Sequence, residues 1–390
     1  NAIEIRTFLS EVPANDDIWL DVKISFEGTM VKEEKYKVIR REETRTIRLQ
    51  DPKDHGAERW WTPEQPNLYD VHYQLTVNAD AVDMCDSYFG MRKVSIENGK
   101  LKLNNRPYYM RLVLDQGYFP DGILTPPSEG AIIRDIMLTK AMGFNGVRKH
   151  QKTEDPQFLY QCDRHGLLVW GESANAYHYS EEYVRRFTHE WQEIVERDYN
   201  HPCIVAWVPI NESWGVPNLQ VNAKQQQHVL AMYHLIKSLD DTRPVIGNDG
   251  WEIIKTDLVC IHDYEWREDV LSKRYATTDN ALQAMPADRR RILVSDNWYE
   301  GQPILVTEFG GISYRKRSRE GWGYSMANDE REFLDRLRAV FRPMHLSPVV
   351  QGLCYTQLTD VEQEINGLLT DDRVPKAPVE AIRKIVCGEF

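Results

Sequence analysis

The chain has 390 residues, more than one hydrophobic core usually organises, so two domains are expected. A net charge of −12 excludes a nucleic-acid binder, which needs clustered Lys and Arg, and no apolar run approaches the roughly 20 residues of a membrane helix. The six cysteines (85, 162, 203, 260, 354 and 387) form no C-x-x-C pair and are expected as free core thiols, neither a disulfide frame nor a zinc site.

The first residue, Asn1, stands in mid-pattern with neither Met nor signal peptide before it, so a fragment or processed piece is expected and localisation is not legible directly. Residues 1–96 look all-β. Ile3–Arg6, Ile18–Ile24 and Tyr69–Leu75 alternate or nearly alternate between apolar and polar residues, and Lys32–Arg48 is charged enough for a solvated strand face. Several short strands within about 95 residues predict an immunoglobulin-like antiparallel β-sandwich.

After Asn98-Gly99 short apolar strands alternate with helix-length amphipathic segments. Predicted strands are 108–114, 145–148, 167–170, 204–210, 244–247, 258–261, 304–307 and 349–355. Predicted helices are 131–142, 156–165, 180–199, 219–239, 329–341 and 379–386, with 267–284 ambiguous. Eight strand signals with helices between them predict an α/β domain over 97–390, a (β/α)8 TIM barrel. A doubly wound sheet is the alternative, but neither G-x-G-x-x-G nor G-x-x-x-x-G-K occurs where it would need them.

A barrel of this type carries its active site at the C-terminal strand ends. Two of those ends stand out. Val205-Ala206-Trp207-Val208-Pro209-Ile210-Asn211-Glu212 and Pro303-Ile304-Leu305-Val306-Thr307-Glu308 are apolar runs that stop on a carboxylate. The other tips are polar as well: Asp115 and Gln116, Arg148 and His150, Glu172 and Asn175, Asn248 and Asp249, His262 to Tyr264, and Gln357 to Glu364. Two facing carboxylates suit glycoside hydrolysis, one giving a proton to the leaving oxygen and the other attacking the anomeric carbon. Asn211 is placed to bind a sugar 2-hydroxyl and Tyr264 to orient the nucleophile. His150 is either a sugar contact or a packed side chain. Trp214, Trp251, Trp266, Trp298 and Trp322 fall in strand-to-helix loops, where each either lines a cleft or packs on the scaffold. Asn211-Glu212-Ser213 also fits the N-glycosylation pattern, but a site inside the barrel mouth is not a glycan acceptor.

Tyr199-Asn200-His201-Pro202-Cys203-Ile204-Val205-Ala206-Trp207, running into Asn211-Glu212-Ser213, resembles the signature of glycoside hydrolase family 2. Gly143–Arg148, Asp163–Trp170, Trp61–Tyr69 and Gly90–Val94 are similar to other stretches of that family. The resemblance implies a retaining mechanism with Glu212 as acid/base and Glu308 as nucleophile, no cofactor, and a small carbohydrate or oligosaccharide as partner. Substrate contacts are expected from Arg148, His150, Asn211, Tyr264, Asp115 and Gln357, with homo-oligomeric assembly left open. The family usually has a jelly-roll domain ahead of the sandwich, which this sequence does not contain. Bacterial members are often exported, which implies a periplasmic or secreted protein.

Departures from the family narrow the substrate. Where β-glucuronidases carry Asn-x-Lys, this chain has Glu364-Ile365-Asn366-Gly367, and a Glu without the Lys would repel a uronate. Asn175 and Tyr177 stand where magnesium-dependent β-galactosidases carry a Glu and a His, so no metal is expected there. Gln357 stands near the family's usual Trp, and Val113-Leu114-Asp115-Gln116 replaces a Gly-Val-Asn-Arg-His run. The expected activity is an exo-β-glycosidase on a neutral sugar, β-galactoside first, with β-mannoside or α-L-arabinoside as alternatives. A non-catalytic carbohydrate-binding barrel and a structural barrel are the competing readings.

Overall fold

The computed structural model describes residues 2–13, 15–49, 59–287, 290–295, 299–316 and 320–390. The chain divides into two compact units, Asn1–Arg92 and Lys93–Phe390.

The smaller unit holds β1 (Ala2–Phe8), β2 (Ile18–Phe26), β3 (Thr29–Lys37), β4 (Glu42–Arg48), β5 (Tyr69–Val77) and β6 (Asp80–Phe89). β1 pairs with β4, and β3-β2-β5-β6 form a second antiparallel sheet. The two-residue period of a strand sends Ile18, Leu20, Val22 and Ile24 of β2 to one face, where they are buried. They join Ile5, Ile47, Tyr69 and Val71 in one apolar core drawn from both sheets. β6 runs largely exposed on the edge and carries Cys85 into solvent, which corrects the expectation of a core thiol there. Cys162, Cys203, Cys260 and Cys354 are buried and free, and Cys387 is half-buried.

The larger unit opens with a three-stranded sheet of β7 (Val94–Glu97), β8 (Lys100–Leu103) and β9 (Arg106–Pro107). Asn98 and Gly99 both adopt positive φ (54° and 67°), the tight-turn geometry that an Asn-Gly pair accepts cheaply. There follow β10 (Met110–Asp115), α1 (Glu129–Ala141), β11 (Gly146–Lys149), α2 (Pro156–His165), β12 (Leu168–Glu172), α3 (Glu181–Asp198), β13 (Ile204–Val208) and α4 (Ala223–Leu239). Then come β14 (Val259–Asp263), α5 (Glu268–Arg274), α6 (Thr278–Gln283), β15 (Ile304–Gly310), β16 (Ile312–Tyr314), β17 (Ser325–Ala327), α7 (Glu330–Leu346), β18 (Val350–Thr356) and α8 (Val379–Val386). Helix starts follow local chemistry. Ser128, Asp155, Ser180, Asn222 and Asp329 each accept a first-turn backbone N–H of α1, α2, α3, α4 and α7.

Seven strands form one parallel sheet in the order β13-β12-β11-β10-β18-β15-β14. Its two edges are both bridged to the run 244–250, through Trp207↔Val245, Asn211↔Asp249 and Gly250↔Ile261. That run was predicted as a strand over 244–247 and is instead an irregular stave. Pro244 offers no N–H, Gly250 sits at φ 107°, and Gly247 passes so close to Lys255 that a Cβ would lie 2.1 Å from its carbonyl oxygen. The strands are apolar over most of their length, as a sheet covered on both faces requires, with Leu112, Val147, Val169, Ala206, Ile261, Val306 and Leu353 buried. α7 continues past its predicted end at Phe341, through Pro343, because Phe333, Leu337, Val340, Phe341 and Met344 bury one continuous apolar face. No helix among the described residues is long and apolar enough to cross a membrane.

Candidate active site

The site is built around one guanidinium. Arg148, near the end of β11, is wholly buried, and a buried charge persists only if it is paired. Its Nε donates to Glu172 at the end of β12 and lies 3.0 Å from Asp249 Oδ2. Nη1 donates to Glu308 Oε1 at 2.8 Å, and Nη2 to Asn211 Oδ1 at 2.5 Å. Burial works against the charge on Arg148, but Asp249, Glu172 and Glu308 together hold its pKa well above the ordinary value.

Glu308 was expected to end its strand, yet β15 runs on to Gly310. A register shift between Ile261 and His262 on β14 sets His262 opposite Glu308, and another irregularity lies between Val306 and Phe309 against β18. Such bulges re-aim side chains, and here the strand delivers a carboxylate inward while continuing. Tyr264 Oη donates to Glu308 Oε2 at 2.5 Å, so both Glu308 oxygens have a donor. Burial raises the pKa of Glu308, against His262 and Arg148, and the charge of Glu212 adds to the rise.

Glu212 lies four residues beyond β13, in a turn at φ 51°, tied down by its backbone N–H to Asp249 O at 2.9 Å. Its Oε1 is 2.8 Å from His262 Nδ1. An oxygen of Glu212, a ring nitrogen of His262 and an oxygen of Glu308 all lie within 4.8 Å of one another. The cleft thus carries two carboxylates in unlike settings, one clamped by Arg148 and Tyr264 and the other against an imidazole.

Four residues of this network had no assigned role in the sequence reading: His262, Asp249, Glu172 and Thr307. Three of them were visible as polar strand tips, but only the register shift of β14 shows that His262 stands between the carboxylates. Its Nε2 is 3.2 Å from Asp249 Oδ1, which accepts from Thr307 Oγ1 at 2.5 Å. Burial would strip the proton from His262, but Glu308 and Asp249 push its pKa up to about 10. Burial would raise Asp249, yet Arg148 and His262 hold it down to about 2, while for Glu172 burial prevails over Arg148 and pushes it up to about 7.

For His262, a folded pKa raised above the ordinary value of about 6.5 gives stability that is complete below pH 6.5 and is lost as pH rises through about 10. Urea unfolding should show stability declining across that window, and His262→Asn should flatten the decline.

The remaining predicted contacts are divided. Asn211 Nδ2 and His150 Nδ1 are buried without a hydrogen-bond partner, His150 Nδ1 lying 3.7 Å from Glu308 Oε1. Burial, then Arg148 and His262, lower His150 to about 3, so its ring is neutral. Gln357 is close by but occupied: Nε2 donates to Glu364 and Asn366, and Oε1 accepts from Gln116. Asp115 is not brought to the carboxylate pair. It accepts from Lys149 Nζ at 2.6 Å and Gly117 N at 2.7 Å, and Lys149 also meets Glu154 and the Phe158 ring of α2.

Among the aromatic candidates, Trp251 packs its edge against His262, Trp322 against Tyr324, and Tyr324 stacks on Tyr264 with centroids 3.4 Å apart. Trp214 meets Tyr177, Trp266 meets Arg336, and Trp298 lies outside the described residues. The Asn175 oxygen accepts from Asn211 N, and Tyr177 is exposed against Trp214.

Known proteins agree with this architecture. The domain family described as glycosyl hydrolases family 2, TIM barrel domain, matches residues 94–313, and a second, described as glycosyl hydrolases family 2, matches residues 8–92. A beta-galactosidase of Vibrio cholerae is 28% identical over 353 residues, covering 83% of this chain and 32% of that protein. Another from Vibrio vulnificus is 32% identical over 232 residues, covering 55% and 20%. The chain thus spans a third or less of these relatives' length. The solved GH2 beta-galacturonidase of Eisenbergiella tayi superposes with a TM-score of 0.72 at 22% identity, covering 99% of this chain and 68% of that one. A beta-D-glucuronidase of Dictyoglomus thermophilum gives 0.76 at 16%, covering 98% and 68%. At these identities the two structures speak to the fold alone.

Proposed function

The chain belongs to glycosyl hydrolases family 2, and on that premise we propose that it is the core of a retaining exo-β-glycosidase acting on a terminal neutral β-glycoside, a β-galactoside first. The observation that carries this reading is the separation of the two carboxylates. An oxygen of Glu212 and an oxygen of Glu308 lie within 4.8 Å, which favours the retaining class, whose carboxyls stand about 5–5.5 Å apart, over the wider spacing of inverting enzymes.

Glu308, oriented by Arg148 and Tyr264, attacks the anomeric carbon and displaces the leaving oxygen, which takes a proton from Glu212. Water then gives a proton to Glu212 and attacks the same carbon, freeing Glu308. Asn211 Nδ2 serves the sugar 2-hydroxyl, and His150 Nδ1, unprotonated and unpartnered, serves a second hydroxyl. Gln357 shapes the wall through Glu364, and Asp115 positions β11 from behind through Lys149. Glu364 accepts two amide donors and adds negative potential beside Glu308, which supports a neutral sugar over a uronate. The names of the curated relatives support the galactoside. We read the small unit as an immunoglobulin-like sandwich.

A panel of aryl β-glycosides tests this. Hydrolysis of the β-galactoside with β-sugar as the first product is expected, and uronides should be the poorest substrates. Preference for a β-mannoside or α-L-arabinoside would move the substrate within the same chemistry. Sugar binding without hydrolysis would replace the enzyme by a binding module.

A further inference from the structure

His262 has no part in the two-carboxylate scheme, yet it is buried and placed between its members. Nδ1 faces Glu212 Oε1 at 2.8 Å, while Nε2 lies 3.2 Å from Asp249 Oδ1, 3.6 Å from Glu308 Oε1 and 3.3 Å from Arg148 Nη1. The ring is fixed on its other sides by the edge of Trp251 and by Gly250, where a Cβ would lie 2.8 Å from Nδ1. Thr307 Oγ1 completes a chain Thr307–Asp249–His262–Glu212. These are the groups that set the ring's charge: three carboxylate oxygens, Arg148 on one flank, and neutral His150 beyond it.

We propose that His262 is a positioning residue that stores the proton Glu212 delivers, making the Glu212–His262 pair, not Glu212 alone, the acid/base of the reaction. This rests on the assignment of Glu212 above. In the free site the ring carries protons on both nitrogens, the Nδ1 proton facing Glu212 Oε1. As Glu308 bonds to the anomeric carbon and the glycosidic C–O bond breaks, the Nδ1 proton of His262 passes to Glu212 and from Glu212 to the leaving oxygen, so that Glu212 ends as it began. His262 is then neutral with its remaining proton on Nε2, toward Asp249. In the second half, water loses a proton through Glu212 to Nδ1 as its oxygen bonds to carbon, and the C–O bond to Glu308 breaks with the electron pair returning to the carboxylate.

The geometry supplies the reason for the switch. While Glu308 is charged, its oxygen 3.6 Å from Nε2 favours the protonated ring. Once Glu308 is esterified that charge is gone, and the pair binds its proton less tightly, as a base must. The raised pKa of His262 in the free site agrees with the first half of this cycle.

The test compares leaving groups. His262→Asn should lower kcat/KM for phenyl β-galactoside by about 100-fold and for the 2,4-dinitrophenyl glycoside, which needs no acid, by no more than about fivefold. Azide, which attacks without a base, should restore kcat on the latter. His262→Gln, which keeps a hydrogen bond but stores no proton, should behave as the Asn variant does. An equal fall across leaving groups, or recovery in the Gln variant, would overturn the proposal. Should neither variant fold, the wild type decides: ring nitrogen chemical shifts of His262 should read doubly protonated in the free enzyme and neutral in the 2-fluoroglycosyl-enzyme. A doubly protonated ring in both contradicts proton storage. A wild type that cleaves no aryl glycoside would overturn the glycosidase assignment itself, and this inference with it.

Discussion

Glu308→Gln is expected to abolish hydrolysis, lowering kcat/KM by on the order of 10⁴-fold or more, because the amide cannot form the covalent bond to the sugar. The fold should survive the change. Burial raises the pKa of Glu308 because it penalises the charge, and Gln is a neutral group of nearly the same shape that carries no such penalty. Arg148 still has Glu172 and Asp249 beside it. A melting temperature close to wild type, with turnover gone, separates chemistry from folding. Unchanged turnover would reject Glu308 as the nucleophile.

Arg148→Met should act in the opposite way, through stability. It leaves Glu172, Asp249 and Glu308 facing one another in the barrel with their shared cation removed, and breaking a buried pair by deleting one partner costs about 3–5 kcal/mol. Against a total of about 5–15 kcal/mol for a typical domain, that is a large share of the folding free energy near neutral pH. Urea unfolding should show part of the loss recovered at pH 5, where protonation relieves the repulsion among the carboxylates. A variant as stable as wild type at pH 8 would mean that Arg148 is not the electrostatic centre of the site. Arg331→Met offers the contrast. Arg331 is 92% exposed and 3.9 Å from Asp335, and its removal should leave the unfolding midpoint where it was.

Much of this was readable in the chain before any coordinates. Apolar runs of strand length that stop on Glu212 and Glu308, with amphipathic helices between strands, are consequences of a sheet covered on both faces, and they sufficed to bring the carboxylates to one mouth. Helix α2 and helix α8 have the predicted limits because Asp155 and Gly166 bound the first and Pro378 precedes the second. What periodicity could not carry was backbone irregularity. The stave at 244–250 reads as a strand, but Pro244, Gly247 and Gly250 break its ladder. The shift at His262 moves one side chain between two carboxylates without leaving any trace in the apolar pattern. Asp115 is the converse case. A polar residue at a strand tip looked like a substrate contact, but strand alternation turns it away from Arg148's side of the sheet toward Lys149 and α2.

The central claim is that Glu308 becomes covalently attached to the sugar while Glu212 serves the proton. Inactivation with a 2-deoxy-2-fluoro-β-galactosyl fluoride, followed by digestion and peptide mass spectrometry, tests it most directly. The account predicts one sugar per chain, carried on Glu308 in the peptide spanning Pro303–Gly310. A sugar on Glu212, or continued turnover with inversion and no adduct, would contradict it.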